Sequence, residues 1–344
     1  MSLNARNDNA HAPIALEGVN DLIGNTPLLR CERLEALMPG ARLWAKLEHF
    51  NPGGSAKDRT AFALVEEAIA QGVIEEDAPV TLVESSSGNL GMALARQAQL
   101  RGWTFHCVVD QRTNAATVAS MRALGARIEF VEKPDPKTGD WLVARRKRVA
   151  DLLDAIPGAI NLDQYSNQAA FRAHQRTMEE ILQQLGGAPD YFFAAMSTTG
   201  TIGGCIRQLD ALGATTRTIG VDAEGSVLFG GARATRLLPG YGAGVEPELA
   251  KHVNPTKVER VRDLDAVIGA RILARTEGVI PGASGGAVVA AVLREELPAG
   301  CDAVFLLHDA GGNYMDTIYN DAWVAEHLHA DAETLEQKIQ EALQ

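Results

Sequence analysis

Short β-rich runs alternate with longer stretches whose apolar residues recur at helical spacing, and this alternation governs most of the chain. Leu43–Glu48 reads as a strand, and the amphipathic run Thr60–Ala70, stopped by Gly72, reads as a helix. Thr81–Glu84, Thr104–Val109 and Arg127–Val131 follow as strands, with helices over Leu90–Leu100 and Ala115–Leu124, the latter ended by Gly125. Two helical stretches, Asp140–Ile156 and Gln168–Leu185, lead to a second series. That series is strand Tyr191–Ala195, helix Gly203–Leu212, strand Thr218–Val221, helix Ser284–Glu296 and strand Ala303–Leu307. Strands spaced by helices predict βαβ units around mostly parallel sheets, an α/β fold that binds ligands at the carboxyl ends of its strands. The Pro- and Lys-bearing stretch Lys133–Asp140 is expected as an exposed excursion. Gly225–Asp265 has weak periodicity and is expected to hold mobile loops; residues 326–344 are expected as a helical polar tail, and residues 1–12 as disordered. No internal repeat or low-complexity segment interrupts the pattern.

Composition narrows the class. The 344 residues are 46% apolar, ample for one large or two medium cores. A net charge of −12 disfavours nucleic acid or an anionic membrane as main partner. The densest basic run, Arg145-Arg146-Lys147-Arg148, sits inside a helical pattern and reads as a solvated helix face. The N-terminal residues carry no apolar h-region, so a secretory signal is not expected, and the longest apolar stretch, Gly285–Leu293, is too short to cross a bilayer. Cys31, Cys107, Cys205 and Cys301 are scattered without a CxxC pair, fitting buried thiols of a cytoplasmic protein better than disulfides or a metal site.

The candidate chemistry is organised around Asn51-Pro52-Gly53-Gly54-Ser55-Ala56-Lys57-Asp58-Arg59. The glycines and proline make a turn, and Ser55 with Asp58 resembles a capping box. Lys57 then falls in the first helical turn, where the positive dipole end eases deprotonation, as a Schiff-base lysine requires. A lysine there is by itself usually a solvated surface residue. Three further loops change that balance. Glu84-Ser85-Ser86-Ser87-Gly88-Asn89-Leu90-Gly91 offers hydroxyls and N–H groups suited to a carboxylate, more than an ordinary Ser-rich cap needs. Met196-Ser197-Thr198-Thr199-Gly200-Thr201-Ile202-Gly203-Gly204 is a phosphate cradle without the Walker lysine. Pro281-Gly282-Ala283-Ser284-Gly285-Gly286-Ala287 opens a further helix. Gly240-Tyr241-Gly242-Ala243-Gly244 lacks the preceding strand and the acidic residue of a dinucleotide site, which disfavours NAD.

As an ordered set these motifs, with Gly24-Asn25-Thr26-Pro27-Leu28, resemble the cysteine synthase family of pyridoxal-phosphate (PLP) enzymes, fold type II, over nearly the whole chain. The resemblance implies two α/β domains: a smaller one over 46–162 and a larger PLP-binding one over 13–45 plus 163–325. It also implies a homodimer. By resemblance Lys57 carries the cofactor and is the base at Cα, and Asn89 hydrogen-bonds the ring hydroxyl. Ser86, Ser87, Gly88 and Asn89 hold the substrate carboxylate, while Ser197, Thr198, Thr199, Gly200 and Thr201 cradle the cofactor phosphate. Ser284 faces the pyridine nitrogen, making the ring a weaker electron sink than an aspartate would, which favours β-elimination and replacement through an aminoacrylate.

Departures from the sulfhydrylase pattern narrow the choice. Leu90 stands where those enzymes carry a threonine, Tyr165 of Gln164-Tyr165 where they carry phenylalanine, and the phosphate loop reads Ser-Thr-Thr-Gly-Thr-Ile rather than Gly-Thr-Gly-Gly-Thr-Ile. The combination is most similar to the branch that makes N-(2-amino-2-carboxyethyl)-L-glutamate for 2,3-diaminopropionate, a siderophore precursor. That branch implies O-phospho-L-serine and L-glutamate as substrates. Arg145 and the Tyr165 hydroxyl are candidates for the glutamate carboxylates, and Arg233 and Arg236 for the leaving phosphate. The alternatives are a sulfhydrylase making cysteine, a cystathionine synthase, and a catalytically silent PLP-fold interaction protein, the last disfavoured by intact Lys57, Asn89 and Ser284.

Overall fold

The structure is a computed structural model that describes residues 15–343; the stretch 1–12 lies outside the described residues. The chain begins with β1 (Leu28–Arg30), a single-turn α1 (Glu32–Glu35), β2 (Arg42–Leu47) and the lysine helix α2 (Lys57–Ala70). Then come β3 (Thr81–Ser85), α3 (Asn89–Arg101), β4 (Thr104–Asp110), α4 (Ala115–Ala123), β5 (Arg127–Val131), α5 (Trp141–Ala155) and α6 (Ala169–Leu185). The second series is β6 (Tyr191–Ala195), α7 (Gly200–Ala211), β7 (Arg217–Ala223), β8 (Lys257–Val261), α8 (Asp263–Glu277), α9 (Ala283–Arg294) and β9 (Asp302–Leu307). Helices α10 (Asp321–Leu328) and α11 (Ala332–Ala342) close the described chain.

Two sheets form, as the alternation predicts. β3, β4 and β5 pair in parallel in that order, and a larger sheet runs β1-β2-β9-β6-β7-β8, parallel except for the antiparallel edge strand β1. Residue 46, the expected domain boundary, lies within β2 of the larger sheet. The central strand β6 is buried along its whole length, the run expected of a parallel strand covered on both faces. Its alternation sends Tyr191, Phe193 and Ala195 into one core with Leu43, Phe305 and Val288, and Phe192 and Ala194 into another with Phe171 and Ile202. A separate core, with Leu82, Leu94 and Phe105, fills the smaller sheet's side.

Small residues let the helix carrying Ser284 sit deep. α8 and α9 cross so closely that a Cβ on Gly286 would come 2.1 Å from the Ala266 carbonyl oxygen. This glycine is therefore a packing requirement, and it seats the start of α9 beside the ends of β6 and β9.

Three expectations change. The stretch 225–265 contains β8 and the start of α8, elements whose short and partly exposed pattern carries too little periodicity to read. The polar tail is two helices, and α11 buries Leu335 and Ile339 in the larger core, with Arg275 of α8 paired to Glu336 at 2.6 Å. The basic run on α5 is not uniformly solvated, because Arg145 is buried.

Candidate active site

The carboxyl ends of β3, β6 and β9 converge on a cavity of about 770 Å³ that contains Lys57, Asn89, Thr199 and Ser284. Lys57 is the first residue of α2. Its segment is stitched to the end of β9: the Ala56 N–H donates to the His308 carbonyl oxygen at 2.8 Å, and Ser55 bridges Asp309. The expected capping box does not form. Ala56 is the N-cap, Ser55 Oγ accepts from the Lys57 N–H at 3.3 Å, and the Asp58 carboxylate turns to the Gly53 N–H and to Arg96. Asp58 is buried, and a cationic partner satisfies it better than a backbone amide alone. The Lys57 amine is held down at about 8, the direction expected, but burial is the cause, opposed by the nearby Asp309 carboxylate.

Below Lys57, Arg59 bonds Glu48 and Glu180, and Lys46 donates to Glu180 at 2.7 Å, anchoring α2 to β2 and α6. Burial, together with the charges of Lys57 and Arg59, keeps His174 neutral. Its Nε2 lies 3.1 Å from Thr60 Oγ1 and 3.2 Å from Thr201 Oγ1, so one imidazole ties the lysine helix to the phosphate loop.

That loop follows β6 and opens α7. Ser197, Thr198, Thr199 and Thr201 line the cavity, and Gly200 begins the helix 2.9 Å (as a Cβ would lie) from the Ala170 methyl. Thr199 sits at φ +66°, a strained position for a β-branched residue, and its buried hydroxyl has no partner among the described residues. In the serine loop Ser86 does cap α3, its Oγ accepting from the Gly91 N–H at 2.9 Å, whereas Ser87 is exposed to the cavity beside Gly88. Leu90 is buried in the smaller core. Gln164 lines the same cavity, and its Nε2 donates to the Ser85 carbonyl oxygen and braces this loop.

An annex of about 320 Å³ opens off the cavity, bounded by Ser87, Arg112, Trp141, Arg145, Tyr165 and Arg236. Arg145, 9% exposed, has its Nε 3.5 Å from Asp110 Oδ2, beyond hydrogen-bond geometry, and that Nε has no acceptor among the described residues. Tyr165 lies under the Arg146 guanidinium, and burial pushes its phenol up to about 12. Arg236 lines cavity and annex. Arg233 does not: it is exposed and engaged by Asp140 and the Gly244 carbonyl, which removes it from the candidates for the leaving phosphate.

Several residues of the site were not foreseen. Asp309 and His308 follow β9, Tyr314 donates to Asp309 Oδ2 at 2.8 Å, and Asn89 points its amide at the same oxygen. Arg112, stacked on Trp141 and paired with Asp110, faces the annex. The available signal was position, since each of Asp309, His308 and Arg112 lies just beyond the carboxyl end of a strand.

The model of the family described as "Pyridoxal-phosphate dependent enzyme" matches residues 19–309. The chain belongs to this family. The chain of this PLP enzyme is similar to an O-acetylserine dependent cystathionine beta-synthase from Helicobacter pylori, at 29% identity and TM-score 0.82, with 90% of this chain and 100% of that one covered. A cysteine synthase from Entamoeba histolytica matches at 26% identity and TM-score 0.84 over 100% of this chain and 98% of that one. An O-ureido-L-serine synthase matches at 29% identity and TM-score 0.79 over 91% and 100%. The residues fit PLP. The loop after β6 carries an orphaned hydroxyl at Thr199, and the same cavity is lined by the Lys57 amine and by Asp309, whose Oδ1 is orphaned among the described residues. Among the described residues no group of His, Cys, Asp and Glu could hold a metal ion, all four cysteines are buried and free, and no helix is long and apolar enough to cross a membrane.

Proposed function

We propose that this PLP enzyme replaces the β-substituent of an O-substituted L-serine. O-phospho-L-serine is the donor, L-glutamate the amine nucleophile, and the products are N-(2-amino-2-carboxyethyl)-L-glutamate, a precursor for siderophore 2,3-diaminopropionate, and phosphate. Bound PLP supplies the electron sink that acidifies the substrate Cα–H and lets the β-substituent leave. Ser197, Thr198, Thr199, Gly200 and Thr201 would hold its phosphate, Ser284 its ring nitrogen, and Lys57 its aldehyde carbon. Ser87 and the amides of Gly88 and Asn89 orient the substrate carboxylate. Lys57 would hold the cofactor and, when its Nζ is free, would take the Cα proton; burial holds this amine at about 8, below the usual lysine value. Arg236 faces the leaving phosphate from the rim.

The observation that carries the choice of nucleophile is Arg145, a buried guanidinium whose Nε lacks an acceptor, lining an annex large enough for a second amino acid. A dicarboxylate amine would set a carboxylate against the Arg145 guanidinium, and the Tyr165 hydroxyl adds a donor that phenylalanine would lack. The competing reading is cysteine synthesis with sulfide, supported by the likeness to the Entamoeba histolytica cysteine synthase. Sulfide is small and needs no site for two carboxylates. Mass spectrometry of the products formed from O-phospho-L-serine with glutamate and sulfide in competition tests the choice. A dominant glutamate adduct supports the proposal, and cysteine as the dominant product contradicts it.

A further inference from the structure

Asp309 lines the cavity with Lys57, and it is only 3% exposed. Its Oδ2 accepts from Asn89 Nδ2 and from Tyr314 Oη, each at 2.8 Å, while its Oδ1 is buried with no partner among the described residues. Its backbone is held on two sides, by the Gly282 N–H at the start of α9 and by the bridge to Ser55 just before Lys57. Gly282 permits this approach, since a Cβ there would come 2.0 Å from Asp309 Oδ1. Three chain segments therefore meet at a buried carboxyl group, which burial raises and which the hydrogen bonds it accepts and the charge of Lys57 hold down.

We infer that Asp309 is a positioning residue for the cofactor that acts through Asn89. In its ionised form the Asp309 carboxylate only accepts hydrogen bonds and so dictates which end of the Asn89 amide faces it. The amide nitrogen must point at Asp309, because a flipped amide would set two oxygens 2.8 Å apart. The nitrogen carries a second hydrogen, which is left for the cavity, so the wall at Asn89 is a fixed donor. The PLP ring oxygen is ortho to the aldehyde group that a lysine amine attacks, so with that aldehyde at Lys57 the oxygen would lie on the Lys57 side of the ring, and it is anionic in the visible-absorbing form. A fixed N–H donor there favours that form, and a freely flipping amide does not. The inference rests on the cofactor alone and holds whichever nucleophile is used.

The test compares Asp309→Asn, Asn89→Ala and the double variant by two readouts: PLP affinity of the apoprotein, and the ratio of visible to near-ultraviolet absorbance of the loaded protein at one pH. An asparagine at 309 presents both a donor and an acceptor and releases the Asn89 amide to flip. The expected result is a loss of PLP affinity of about tenfold or more in Asp309→Asn, with absorbance moving toward the near ultraviolet, and a double variant no worse than its poorer parent. Parental affinity and band ratio in Asp309→Asn, or fully additive losses in the double variant, would overturn the inference. If Asp309→Asn does not fold, Asp309→Ala is judged by the same two readouts.

Discussion

Arg145 Nε on α5 stands 3.5 Å from Asp110 Oδ2 at the end of β4, close enough for attraction and too far for a good hydrogen bond. On the proposed function, a second oxygen anion entering the annex would complete the pairing that Asp110 begins. Arg145→Gln should raise the KM for L-glutamate by roughly 10- to 100-fold, the scale of one charge-assisted hydrogen bond. Reaction with O-phospho-L-serine alone should change little. Steady-state kinetics with each substrate varied checks this, and equal losses for both substrates would place Arg145 in the framework.

Tyr165→Phe separates the same two half-reactions more finely. The phenol lines the annex, is held at about 12 by burial, and so serves as a neutral donor throughout the working range. Its loss should weaken glutamate use severalfold and leave the spectral response to O-phospho-L-serine at the parental rate. Transient absorbance resolves the two steps, and matching losses in both would contradict the assignment.

Lys57 predicts a pH profile for cofactor capture. Only the neutral amine attacks the aldehyde, and burial holds this amine at about 8 rather than at the usual lysine value. Capture of PLP by apoprotein should therefore accelerate with pH and level off just above 8. A rise continuing past about 10 would indicate an unperturbed lysine. The sign for folding is also fixed: the folded value lies below the unfolded one, so the unfolded state binds more protons between the two, and apoprotein stability gains as pH rises through that window. Lys57→Ala should lower turnover by about 10⁴-fold or more, since it removes both the attachment point and the base.

Glu180 carries a stability prediction away from the cavity. Burial alone would raise its carboxyl, but hydrogen bonds from Arg59 and the charges of Arg59 and Lys46 override this and pull it down to about 2. Its folded value lies below its unfolded one, so its contribution is complete above about pH 5 and is lost as pH falls toward 2. Glu180→Gln should cost about 3 kcal/mol in urea unfolding at pH 7, with the gap to the parent narrowing below pH 4. A gap independent of pH would mean that the loss is one of packing.

The sequence carries the fold because its strands are buried on both faces and its helices are long, as in Tyr191–Ala195 and α6. It does not carry β8, whose residues are half-buried, or the docking of α11, whose two core-facing side chains, Leu335 and Ile339, are surrounded in sequence by charge. In the site, loops with several unusual residues in a row announce themselves, and Lys57, Ser87, Thr199 and Ser284 do line one cavity. Single residues contributed by distant turns do not. Asp309 is one aspartate among many until the pairing of β9 with β2 and β6 brings it to Asn89. The Arg145 run shows the converse, because four successive basic residues on a helix necessarily face different ways, and only one of them turns inward.

The most direct test of the account is a double-mixing stopped-flow experiment on PLP-loaded protein. The first mix is with O-phospho-L-serine, and the second is with L-glutamate or sulfide, while the visible spectrum is followed. A new absorption band after the first mix that L-glutamate discharges rapidly and sulfide only poorly is the predicted result. Discharge by sulfide alone would contradict the proposed nucleophile and make the protein a cysteine-forming enzyme.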